Sequence, residues 1–135
     1  MLVLMLVFCG ESAAGNMVRE AARTYTLKSP SIACSTYHDA CLVDKMVADG
    51  DSAATIKMVE NRRCVFIKNK VKVHVYQTSF VRDQTRGASI LVSYRKPGDA
   101  SIFWTSLYAF EELDELLWNY HPEFREALRK KGFKP

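Results

Sequence analysis

Val71, Val73 and Val75 alternate with Lys70, Lys72 and His74. Three β-branched residues at a period of two specify a strand with one buried face. One such strand cannot bury its face alone, so the rest of the chain must supply a sheet around it.

The neighbouring segments read as that sheet. Cys64-Val65-Phe66-Ile67 is a short apolar run, and Ala88 to Tyr94 sets Ile90, Val92 and Tyr94 on one face. Lys96-Pro97-Gly98-Asp99 is a strong turn signal, after which Ser101 to Thr105 returns with Phe103 and Trp104. Residues 78–87, with Arg82, Asp83 and Arg86, read as a polar connecting loop. Short strands joined by tight turns predict a small antiparallel barrel.

Helices are expected on both sides. Thr36 and Asp39 form a capping-box-like pair ahead of Ala40, Cys41, Val43, Met46 and Val47, which recur at helical spacing. Gly50 ends this helix, and Asp51 or Ser52 caps a second one through about Glu60, with Ile56 and Val59 as its buried side. The pair reads as an N-terminal helical hairpin that needs a surface to pack on. Glu111, Glu112, Leu113, Asp114, Leu116, Leu117 and Trp118 predict an acidic amphipathic helix. His121-Pro122-Glu123 opens a further turn or helix ending in Arg129, Lys130 and Lys131. The fold class expected is α+β.

Met1–Cys9 is the longest unbroken apolar run, about half of the roughly 20 residues that a spanning helix needs. Small residues follow it, with Ser12 and Ala14 placed for signal cleavage before Gly15. No Lys or Arg precedes the run, which departs from the usual signal layout. The division expected is a signal peptide at 1–14, a lead-in at 15–33, the helical hairpin and barrel at 34–110, and a helical tail at 111–135. The expected location is periplasmic or extracellular.

Cleavage removes Cys9 and leaves Cys34, Cys41 and Cys64, hence one bridge and one thiol. Cys34 lies in an extended stretch, Cys64 opens a strand, and Cys41 falls within a helix. This favours Cys34–Cys64, with Cys41–Cys64 as the competing pairing. Closing a loop of about thirty residues is worth roughly 3–4 kcal/mol in the chain-entropy account.

Taken together, Cys34 ahead of a helix, Gly50-Asp51 between helices, Cys64 opening the barrel, the valine strand, Val92 and Trp104-Thr105 before a tight turn resemble a family of small exported bacterial proteins. Those proteins carry an SH3-like barrel and mostly have no assigned function. The resemblance runs from about Pro30 to Phe110. It implies a Cys34–Cys64 bridge, an SH3-like β-barrel and a non-enzymatic binding module for a protein, a peptide or a cell-wall component. It also implies a shallow aromatic surface, for which Tyr76, Tyr94, Trp104 and Tyr108 are the candidates. Where the family usually has a turn glycine this chain has Asn69, which tolerates a positive φ.

Catalytic and metal readings find little footing. His38 and Cys41 share a helix face, but no third group orients them. His38, His74 and His121 are scattered, and no cysteine pair has CxxC spacing, so no metal or other cofactor is expected. The acids at 111–115 read as a solvated first helical turn. Basic residues weigh more. The net charge of +4 conceals a basic segment from Lys57 to Lys96 that includes Lys68, Lys70, Lys72, Arg95 and Lys96, opposed there by Glu60 and Asp83. Lys70, Lys72 and Arg95 interleaved with Tyr76 and Tyr94 make a cytoplasmic nucleic-acid-binding domain the alternative function. Lysines that guard sheet edges are the simpler account of the same residues.

Overall fold

The computed structural model describes residues 23–83 and 87–135, so the expected signal segment lies outside the described residues. The valine alternation occupies β4 (Val71–Asp83), the longest of the six strands among the described residues. The others are β1 (Tyr25–Leu27), β2 (Ser31–Cys34), β3 (Cys64–Ile67), β5 (Gly87–Arg95) and β6 (Phe103–Ser106). All pair antiparallel in the order β1-β4-β5-β6-β2-β3, and the sheet curls into a half-barrel. Four described helices accompany it: α1 (Tyr37–Ala48), α2 (Ser52–Glu60), α3 (Leu113–Tyr120) and α4 (Arg125–Lys130).

The sheet separates two cores. Val73, Val75, Val92, Tyr94, Tyr25, Leu27, Phe110 and Leu116 fill the one roofed by α3. Leu91, Cys34, Cys64, Ala40, Val43 and Met58 fill the one roofed by α1 and α2. β5 feeds both, because successive side chains of a strand point to opposite faces. Ile90, Val92 and Tyr94 enter the first core while Leu91 enters the second. The Cys34–Cys64 disulfide joins directly opposed residues of β2 and β3 inside the second core. Cys41 is a free thiol packed against the same core.

Helix ends follow their capping residues. Thr36 Oγ1 accepts the Asp39 amide at 3.1 Å, and Asp51 Oδ1 accepts the Ala54 amide at 3.1 Å. Gly50 turns the chain between the helices with φ +74, a backbone state in which a side chain is strained. The Asp39 carboxylate does not complete a capping box. It accepts two bonds from the Arg63 guanidinium, which hold its pKa below the ordinary aspartate value.

Several expectations are corrected. Residues 78–83, expected in a connecting loop, are strand, because β4 continues to Asp83, and Gly87 already opens β5. The register shifts between Val75 and Gln77, a β-bulge at Tyr76. Beyond it Thr78 pairs with Val92 and Phe80 with Ile90, so the inward positions change from odd to even. The lead-in is not mere approach. Tyr25 and Leu27 are fully buried in β1, and Ser31–Cys34 form β2. On α2 the buried residue is Met58, while Ile56 is exposed. Val47 of α1 is likewise exposed. Among described non-glycine residues the positive φ falls at Arg62, not at Asn69.

The C-terminal segment is built into the first core. Lys28 donates to the Ala109 carbonyl at 2.7 Å and Glu111 to the Thr26 carbonyl at 2.9 Å, which covers the outer edge of β1. Glu112 accepts from the Thr26 amide at 2.7 Å and from its hydroxyl at 3.1 Å. Asn119 donates to the Tyr25 hydroxyl at 3.2 Å. Trp118 lies between the guanidinium groups of Arg125 and Arg129, at 5.0 and 5.1 Å from its ring.

Candidate functional site

A groove of about 360 Å³ opens between α1, β2, β6 and the 3-10 turn Leu107–Ala109. Its walls are mostly apolar: Ile32, Val43, Val47, Leu91, Trp104 and Tyr108. Each wall has a local cause. Trp104 is directed toward α1 by the alternation of β6 and meets Tyr37 edge-on at 5.0 Å. Thr105, next in the strand, faces away and donates its hydroxyl to the Ile32 carbonyl at 2.7 Å, tying β6 to β2. Ser106 caps the 3-10 turn by accepting the Tyr108 amide at 3.2 Å, which sets Tyr108 on the rim. Tyr108 is 69% exposed and Val47 is 60% exposed. Two large apolar side chains this open on one rim are a surface that water solvates poorly.

The sequence-derived residues do not form one surface. Trp104 and Tyr108 share the groove. Tyr94 does not belong with them: it is 1% exposed and packs between Phe103 and Phe110. Burial pushes its phenol well above the ordinary tyrosine value. Tyr76, at the bulge, accepts a bond from Arg95 Nε, and the Arg95 guanidinium lies 5.9 Å from its ring centre. Arg95 also donates to the Lys96 and Asp99 carbonyls at 3.4 Å each. Lys70 pairs with Glu111 at 2.6 Å, which raises its pKa, and Lys72 is exposed on β4. The acidic segment at 111–115 therefore takes up part of the basic face. Glu115 also pairs with Arg23, and Asp114 pairs with Lys131.

The α1 wall of the groove was not anticipated: Val47 was grouped with the other apolar positions of the helix, and nothing set it apart as a site residue. As for Cys41, burial pushes its thiol above the ordinary value, against a hydrogen bond from Tyr37 that lowers it. A thiol so disposed holds little thiolate at neutral pH and is a weak nucleophile.

Comparison of the chain with protein-family models, with curated proteins and with solved structures returns no match.

Proposed function

We propose that this chain is a non-enzymatic binding module of the exported SH3-like kind, and that the Trp104 groove receives a large apolar side chain of a polypeptide. The observation carrying the reading is the groove itself, open to solvent, mostly apolar and bounded by the exposed Val47 and Tyr108. Its volume of about 360 Å³ lies at the low end for small-molecule pockets. That size suits one or two side chains rather than a whole cofactor. A cell-envelope sugar polymer would need many polar partners, and the walls offer few, namely Ser31, Asp44, Thr105 and Ser106. Export is supported by the Cys34–Cys64 bridge, a bond that persists in oxidising compartments. The basic face is the weaker site, because Lys70 is paired and Arg95 is held against Tyr76.

The test is panning of a random peptide library against the protein, with Val47→Glu as the counter-selection. Peptides sharing one large apolar residue should be enriched, bind with a change in Trp104 fluorescence, and fail on the variant. Recovery of the same peptides on both proteins would show that the groove is not the site. Intact mass of the naturally produced chain, with and without reduction, tests export. Loss of the first fourteen or so residues and a gain of two hydrogens on reduction are expected. A chain starting at Met1 with every thiol free would refute export.

A further inference from the structure

β3 closes the sheet order and has no strand on its outer side among the described residues. At four residues it is short, which limits edge pairing, but it carries no bulge, proline or charge within the strand. Its two central residues, Val65 and Phe66, are 41% and 53% exposed. They point to opposite faces, so neither α2 alone nor the first core alone can cover both. The Cys34–Cys64 bridge holds the strand to β2, so an incoming segment meets an edge that is already ordered.

Charge flanks this apolar centre. Arg62 and Arg63 precede β3, and Lys68 and Lys70 follow it. Beside the edge is a second cleft of about 430 Å³ with Ile67, Tyr94 and Phe103 at its base and Lys68, Lys70 and Lys96 on its rim. Lys68 and Lys96 have no ion-pair partner among the described residues. The one acid on the rim, Asp99, accepts the Ser101 amide at 2.9 Å within its own turn.

From this juxtaposition we infer a second binding site: the outer edge of β3 takes an extended peptide strand with apolar side chains at its centre and carboxylates near its ends. Backbone groups of β3 supply the ladder, as in strand addition to other sheets. One face of the added strand turns side chains into the cleft, and its end carboxylates meet Arg62 on one side and Lys68 with Lys96 on the other. A second copy of this chain is the wrong occupant. Antiparallel pairing of β3 with its own copy about Val65 sets Arg62 against Lys68, and like charges placed opposite are destabilising. The inference is independent of the Trp104 groove, whose lining shares no residue with this cleft.

The test uses a capped, fluorescent short peptide of alternating valine and threonine with glutamate at each end, followed by anisotropy against the full chain. Binding should weaken as salt rises. It should also weaken about fivefold in Lys68→Glu and again in Lys96→Glu, both at exposed positions. Val47→Glu, in the other groove, should leave it unchanged. Amide exchange should slow at residues 64–68. The inference is overturned if a lysine-ended peptide binds equally well, or if protection appears at α1 and β6 instead. It is overturned also if a single-stranded oligonucleotide displaces the peptide at lower concentration, or if the protein dimerises through this edge.

Discussion

Leu116→Ala tests whether α3 belongs to the core or merely follows it. Leu116 is fully buried among Tyr25, Leu27, Val75 and Phe110. The helix carrying it is tied down at both ends, by Glu112 on Thr26 and by Asn119 on Tyr25. Those anchors resist collapse of the helix into the space vacated, so the cost should lie in the upper part of the range for such truncations, about 3–4 kcal/mol. With an m-value of about 1.5 kcal/mol/M for a domain of this size, the urea midpoint should fall by about 2–2.7 M. The measurement is urea unfolding followed by tryptophan fluorescence and by circular dichroism, whose curves should coincide for a two-state domain. Glu126→Ala, on the exposed side of α4, is the control and should stay within about 0.5 kcal/mol of the parent. A midpoint shift below about 0.5 M for Leu116→Ala would refute the placement of α3 in the core. It would return the C-terminal segment to the status of an appended tail.

Other perturbations report on single features. Cys34→Ala with Cys64→Ala releases a thirty-residue loop, and the chain-entropy relation gives a loss of about 3.6 kcal/mol; a loss below 1 kcal/mol, read by urea titration, would contradict it. Asp39 has a pKa depressed by Arg63, so its stabilising effect is present above the ordinary value of 3.8 and is lost as pH falls through the depressed one. The stability difference between parent and Asp39→Asn should accordingly shrink on acidification, and a difference flat with pH would refute the pairing. Tyr94 has a pKa raised by burial. The unfolded chain therefore loses this proton first, and stability should fall as pH rises above 10.0. Tyr94→Phe should remove that alkaline loss while changing neutral-pH stability by less than about 1 kcal/mol; an unchanged alkaline profile would count against it.

What could be read from the sequence depended on whether a pattern lay within one stretch of chain. The valines of β4 announced their buried face because nothing interrupts the alternation before Val75. Past Tyr76 the bulge exchanges the two faces, so Gln77 and Ser79 fall where apolar residues were expected. A strand thus read as a loop. β1 escaped for another reason: three residues between polar neighbours are too few to display any period, though Tyr25 and Leu27 are among the most buried in the molecule. The amphipathic character of α3 was plain, but not its partner, since its contacts with β1 and β4 span forty to ninety residues of sequence. The candidate groove was half visible. Trp104 and Tyr108 stand out as aromatics beside a turn, whereas Val47 carries the same apolar signal as its buried neighbours on α1.

β5 faces a core on either side, with Val92 and Tyr94 behind it and Leu91 in front. It is a partition wall shared by two rooms. Neither room can be cut away to leave the other standing, because each removal strips one side of the same strand. Duplication or trimming of this chain at its middle is therefore closed to it, and growth is open only at the perimeter. The free edge of β3 is such a place, where added chain extends the structure without disturbing either core.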